Sequence, residues 1–247
     1  MSRFAIRLLV SAALLATAPT TAAPRVQETA KDPDRLYADR EHLQSAFEAA
    51  SLWETRLRRD PNDFESAWKL AKAGYWLGGH APADERRKQY ERGIQAATRA
   101  TAIRGDRPEG HFWLAANMGA MAESFGLRAG IKYRGPVKKE LETVLMIDRG
   151  FQQGSADRAL GRWYLKVPRL FGGSKDKSVE HLRKSLSYDP DSLASHYFLA
   201  ETYLEMDRRD EARREAQKVL DSPIHAEWAP EDREFKQQAK ALLERLR

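Results

Sequence analysis

Residues 155–220 read SADRALGRWYLKVPRLFGGSKDKSVEHLRKSLSYDPDSLASHYFLAETYLEMDRRDEARREAQKVL, and the reading of this stretch decides the fold. Two helix–turn–helix units follow one another at a period of about 34 residues. In the second unit, Pro190 closes the preceding helix, and Leu199, Ala200, Tyr203 and Ala212 follow at regular spacing. Leu199 and Tyr203 share one helical face and fill the space between helices. Ala200 and Ala212 are small where paired helices must cross closely. In the first unit, Leu160, Gly161 and Tyr164 repeat the first-helix pattern, and Ser178, Leu182, Ser185 and Pro190 repeat the second. Between them lies the insertion 167–173; Gly172-Gly173-Ser174-Lys175 at its end reads as a turn that folds Leu170 and Phe171 onto the array. It lacks the upstream glycine and the preceding strand of a phosphate loop.

That period, with small residues recurring at the crossings, is the signature of the tetratricopeptide repeat. Working outward, Leu70 and Ala71 stand as far beyond Pro61 as Leu199 and Ala200 stand beyond Pro190, although Gly74 replaces the expected tyrosine. The expected fold is all-α, a tetratricopeptide-like α-solenoid of about four helix pairs plus flanking helices, over 41–247. Helices are expected over 41–59, 64–77 (with Gly78-Gly79 as a C-cap), 85–103, 111–125, 136–147 and 230–246. The segment 126–135 reads as an irregular connection, with Pro136 opening the next helix. The helix at 111–125 is apolar nearly all round and should be the most buried. The last one carries the stripe Phe235, Ala239, Leu242 and Leu243 and a charged outer side, as a solubilising cap would.

The chain of 247 residues is 42% hydrophobic and 32% charged, with a net charge of +6. Losing Arg3 and Arg7 with a leader would lower that by two, to +4. The clusters Arg56/Arg58/Arg59, Arg86/Arg87/Lys88 and Arg208/Arg209 each adjoin acids such as Asp60, Glu85 and Asp210. Such mixing describes a wet helix face and no continuous nucleic-acid footprint. At the N-terminus, Arg3 and Arg7 precede the apolar run Leu8 to Ala16, with small residues and Pro24 after it. This is the layout of a signal peptide over 1–23; Ala16-Thr17-Ala18 and Thr21-Ala22-Ala23 both suit cleavage. Residues 24–40 read as a flexible arm, and the mature protein as periplasmic or otherwise exported. The chain has no cysteine, which excludes disulfides, thiolate metal sites, a cysteine nucleophile and a lipidated cysteine.

Arrays of this kind bind through the concave face of their first helices. The groove-facing candidates are Trp68, Lys72 and Tyr75, then Arg158 and Arg162, then Tyr197 and Glu201. Aromatics and both charge signs together suit an extended peptide or a partner helix; the alternative is that Trp68 and Tyr197 are only packed. Asn117, polar within the most apolar helix, either bonds nearby backbone or faces a cavity. With His111 and Trp113 it forms a candidate ligand site for a small apolar molecule. The six histidines show no zinc-ligand spacing, and Glu180 beside His181 points to another face. No GxSxG elbow appears. No metal, cofactor or catalytic residue is expected, and a hydrolase is the reading from a different class.

Three stretches carry a family resemblance: Asp60-Pro61-Asn62-Asp63 with its Trp-bearing helix, Phe112 to Gly119, and Pro168 to Gly173. Together they resemble the T-component of tripartite ATP-independent periplasmic (TRAP) transporters, over about Glu41 to Leu246. A lesser likeness, to the regulators of microtubule dynamics, covers Glu109 to Leu246. The first resemblance implies a periplasmic helper of a solute-binding protein, homo-oligomeric as a trimer, with apolar channels for hydrophobic ligands. Its members are often lipoproteins, a trait the missing cysteine removes and with it a clear means of membrane attachment. A scaffold for an unrelated envelope complex is the alternative.

Overall fold

Proline and aspartate set the boundaries of the helices. A computed structural model describes residues 31–246. Asp60, Asp148 and Asp189 each end a helix and turn back to accept a backbone N–H two residues on, at 2.9, 2.9 and 3.3 Å. Asp63, Ser174 and Ser192 then cap the helices that follow, accepting from the N–H three residues ahead. Eleven helices result among the described residues: α1 (Pro33–Ala38), α2 (Leu43–Arg59), α3 (Phe64–His80), α4 (Ala83–Ile103), α5 (Pro108–Ser124), α6 (Gly126–Ile147), α7 (Ser155–Lys166), α8 (Lys175–Tyr188), α9 (Leu193–Glu205), α10 (Arg209–Asp221) and α11 (Ala229–Arg245). No strand occurs among those residues.

The helices pack as antiparallel hairpins, α3/α4, α5/α6, α7/α8 and α9/α10, with α1, α2 and α11 flanking them. The first helix of each hairpin also touches the first helix of the next, α3 on α5, α5 on α7 and α7 on α9. This is the expected solenoid of four pairs. Ala200 and Ala212 are fully buried in the core shared by the last helices. Gly161 sets the close approach of α7 to α8, since a Cβ there would lie 2.5 Å from Leu182 Cγ. At Gly74 the missing tyrosine has a cause: a Cβ would come 2.7 Å from the Cα of Gly93, because α3 and α4 touch backbone to backbone.

Four expectations need correction. Helix α3 runs through Gly78 and Gly79 to His80; Gly78 is no C-cap but the floor under the Tyr90 ring, which a Cβ would strike at 2.4 Å. The supposed connection 126–135 is helical, and Pro136 lies inside α6. Leu170 does not fold onto the array: it sits on a single 3-10 turn closed by Gly172 at φ +102° and is 88% exposed, and only Phe171 beside it reaches the array, under Arg134 of α6. The arm 24–40 is structured where described, since α1 forms and Tyr37 and Arg40 are buried. The leader, its two cleavage sites and the rest of the arm lie outside the described residues. No helix among the described residues is long and apolar enough to cross a membrane.

Candidate functional site

The concave side of the array is enclosed because its ends meet. Arg40, 4% exposed, donates both to the Glu231 carboxylate and to the Glu227 carbonyl at 2.8 Å, while its own carbonyl accepts from Trp76 Nε1 at 2.8 Å. Arg233 reaches Glu41, His80 Nε2 lies 2.6 Å from Glu234, and Lys72 Nζ is 3.5 Å from Glu227. The start of α11 therefore clasps α1 to α3, far upstream in the chain, through side chains. The expected solubilising cap is a closing wall.

Inside lies a cavity of about 600 Å³. Its apolar walls come from Phe112 and Trp113 on α5, Trp163 on α7, Phe198 on α9, and Trp228 and Phe235 at the C-terminal end. Tyr75, Arg158 and Arg162 also line it. Tyr75 is 40% accessible, and desolvation by the surrounding walls pushes its hydroxyl pKa up to about 12. The two arginines differ. Arg162 is bound to Glu123 at 2.6 Å and to Glu201 at 3.2 Å; burial depresses its pKa, and those carboxylates more than reverse the effect. The Arg158 guanidinium, one turn earlier on α7, makes no hydrogen bond and no ion pair among the described residues. Burial lowers its pKa, and the more distant charges of Asp189 and Asp232 only partly offset this. Arg158 is thus a desolvated cation with no bonded partner, in a space walled largely by aromatic rings and also lined by Asp189 and Asp232.

The other candidates divide. Trp113 lines the cavity, but Asn117 and His111 do not. Asn117 is fully buried and donates to the carbonyls of Ala71 at 3.0 Å and Trp113 at 2.8 Å, binding α5 to α3. His111 is held by Glu140 at 2.5 Å and by the Gly105 carbonyl at 3.0 Å, which ties α5 to α6. Trp68 packs against the core under Lys69, and Tyr197 packs between Phe198 and Phe235; neither opens on the cavity. Glu201 is spent on Arg162 and Lys166. Lys72 is covered by the rings of Tyr37 and Trp228, and desolvation lowers its pKa.

Sequence reading missed Phe112, Trp163, Phe198, Trp228 and Phe235. Trp163 follows Arg158 and Arg162 on a face of α7 that periodicity could have marked, Phe235 reaches the cavity by packing on Phe198 of α9, and Trp228 meets Lys72 of α3 from the far end of the chain. His181 and His196, on adjacent helices, form two separate pairs, His181 with Asp157 at 2.7 Å and His196 with Glu215 at 2.6 Å. Among the described residues, no group of three or more His, Asp or Glu side chains could hold a metal.

A family model described as regulator of microtubule dynamics protein 1-3 matches residues 30–171, over half the chain. The chain belongs to that family. A tetratricopeptide-repeat model matches residues 176–223, so the family's helices run on into an ordinary repeat. Of the two resemblances read from the sequence, the matched family is the second, and the match lies earlier than Glu109 to Leu246. Among solved structures, the fold is similar to TTC0263, a thermophilic tetratricopeptide protein of Thermus thermophilus: 22% identity over 85% of this chain and 97% of that one, TM-score 0.64. It is also similar to MamA (residues 41 to the end) of Desulfovibrio magneticus RS-1, at 18% identity over 77% and 95%, TM-score 0.51. At these identities the likeness is one of fold. No curated protein matches the chain significantly.

Proposed function

We propose that this chain is an exported, non-catalytic binding protein whose cavity takes an elongated apolar ligand carrying an anionic group. The observation that carries the reading is the unpartnered Arg158 guanidinium in an aromatic-walled cavity. About 600 Å³ is the size of a small-molecule site. A ligand carboxylate or phosphate on Arg158 would complete a desolvated ion pair, and the rings would bury the chain attached to it. Export rests on the Arg3–Ala23 leader. Catalysis is disfavoured by the lining itself. His225 and Asp232, 3.4 Å apart, are its one His–carboxylate pair, and of its three serines Ser192 spends its hydroxyl capping α9 and Ser155 donates to the Phe151 carbonyl.

The test is a titration with a fluorescent long-chain carboxylate and the matching alcohol. The carboxylate should bind tightly to the wild type and at least about tenfold more weakly to Arg158→Leu, equivalent to about 1.4 kcal/mol. The alcohol should bind both proteins alike. Equal affinity of carboxylate and alcohol for the wild type would remove Arg158 from recognition, and failure of both to bind would remove the cavity.

A second reading is favoured by the repeat array and by the TRAP T-component likeness: a scaffold that assists a solute-binding protein in the periplasm and shares the apolar ligand with it. Capture of a solute-binding protein from periplasmic extract, weakened by Tyr75→Ala, supports it; capture unaffected by Tyr75→Ala counts against a role for the concave face.

A further inference from the structure

We infer that the cavity mouth is a docking lip for an anionic membrane surface. Two segments meet there. The first is the N-terminal half of α6, where Leu127 and Ile131 lie one turn apart, 76% and 49% exposed, and both line the cavity. The second is the 3-10 turn, which presents Leu170 outward and Phe171 at the rim. Arg134 joins them. Its guanidinium lies 4.8 Å from the Phe171 ring centre, and its carbonyl accepts from Trp163 Nε1 at 2.8 Å. Four large apolar side chains at one opening form a patch that water alone does not explain.

Charge selects the occupant. Elsewhere basic and acidic residues are interspersed, but from Gly126 to Lys139 the chain carries Arg128, Lys132, Arg134, Lys138 and Lys139 and no acid. From Lys166 to Lys175 it carries Lys166, Arg169 and Lys175, again with no acid. Arg128, Lys132 and Arg169 are exposed and have no carboxylate partner among the described residues. Lys138, Lys166 and Lys175 are paired with Glu142, Glu201 and Glu205, and Glu123 and Glu140 are engaged by Arg162 and His111. Exposed Leu127, Ile131 and Leu170, each beside one of the unpaired Arg128, Lys132 and Arg169, match the boundary of an anionic bilayer, where apolar side chains enter the acyl region and cations stay among the headgroups. An acidic protein surface would use the cations and leave Leu127 and Leu170 in water. The docking does not depend on what fills the cavity.

The test is co-sedimentation of the full chain with vesicles of phosphatidylcholine alone or mixed with phosphatidylglycerol. Three proteins are compared: wild type, Leu127→Glu/Leu170→Glu, and Arg128→Glu/Lys132→Glu/Arg169→Glu. All these positions are exposed, so folding, checked by helical circular dichroism, should persist. The wild type should bind the mixed vesicles and not the neutral ones, release as salt shortens the screening length from about 10 to about 3 Å, and lose at least about tenfold in partitioning in either variant. The apolar N-terminal run is common to all three proteins and cancels. Equal binding by the three, equal binding to neutral vesicles, or no vesicle binding would overturn the proposal. So would a loss of vesicle binding in only the charge-reversed variant, which marks an electrostatic contact, or a change of oligomeric state in the variants in its place, which marks a self-association surface.

Discussion

The two halves of the array solve one packing problem differently. In the N-terminal half, α3 to α6 are 17, 21, 17 and 22 residues long; in the C-terminal half, α7 to α10 are 12, 14, 13 and 13. The long helices approach by removing side chains altogether: Gly74 lies on Gly93, and a Cβ at Gly93 would fall 2.1 Å from Asn117 Oδ1. Apart from Gly161, the short helices keep small side chains at their crossings and pair their hydroxyls, Ser178 with Thr202 and Ser185 with Ser195, each at 2.9 Å and buried. The family match falls mostly on the first half and the general repeat match on the second. A glycine crossing is intolerant because backbone cannot move aside, whereas a side-chain crossing can adjust.

That contrast is most easily broken at its glycines. Gly74→Ala should cost about 3 kcal/mol in chemical denaturation, since the new methyl meets the Gly93 backbone and overpacking outweighs the gain in helix propensity. Gly161→Ala, whose methyl meets the movable Leu182 side chain, should cost about 1 kcal/mol. Equal losses would mean that the halves do not differ in tolerance. The clasp between the halves comes next. Arg40→Ala strands Glu231, which is 23% exposed, and should cost about 2 kcal/mol, less than a fully buried pair. Hydrogen exchange should then rise in α1 and α11 and stay unchanged in α4 and α8; a uniform rise would show that the ends are not a separate closure. The polar contacts give a smaller difference. Asn117→Ala removes two hydrogen bonds to buried carbonyls and should cost about 2 kcal/mol, against about 1 for Ser178→Ala, which leaves Thr202 its bond to the Phe198 carbonyl. The reverse order in thermal melts would contradict the assignment of Asn117 as the pin between α3 and α5.

The same contrast explains what could be read in advance. Pairing in 155–221 was legible because each turn carries its own signal, Asp189-Pro190 or Ser174, and each crossing a small residue at a fixed offset. The first half of α6 was not, because Gly126, Gly130, Gly135 and Pro136 are local loop signals that packing against α5 overrides. Of the site, Tyr75, Trp113, Arg158 and Arg162 follow from their positions on first helices. Trp68 and Tyr197 were misplaced because a solenoid face curves, and a residue a fraction of a turn away packs against a neighbour. The clasp left no trace that one sequence could show: Arg40 and Glu231 meet only after every intervening hairpin has added its rotation.

The smallest effect tests whether the clasp responds to pH. His80 stacks on Trp76 at 3.6 Å, Nδ1 lies 2.7 Å from the Trp76 carbonyl, and Nε2 lies 2.6 Å from Glu234 of α11. Burial lowers its pKa, but the bonds to Glu234 and to the carbonyl more than reverse this, so the folded-state value is raised above 6.5. A raised value means that the folded state holds the proton more tightly than the unfolded one. The stabilisation is therefore complete below the unfolded pKa and is lost as pH rises through the folded one. For a partly exposed pair it should amount to about 0.5 kcal/mol. The difference in melting temperature between wild type and His80→Gln should be positive below about pH 6 and shrink through neutrality. His42, also raised by its bond to Asp39, is common to both proteins and cancels. A difference that grows with pH would reverse the sign and remove His80 from the clasp.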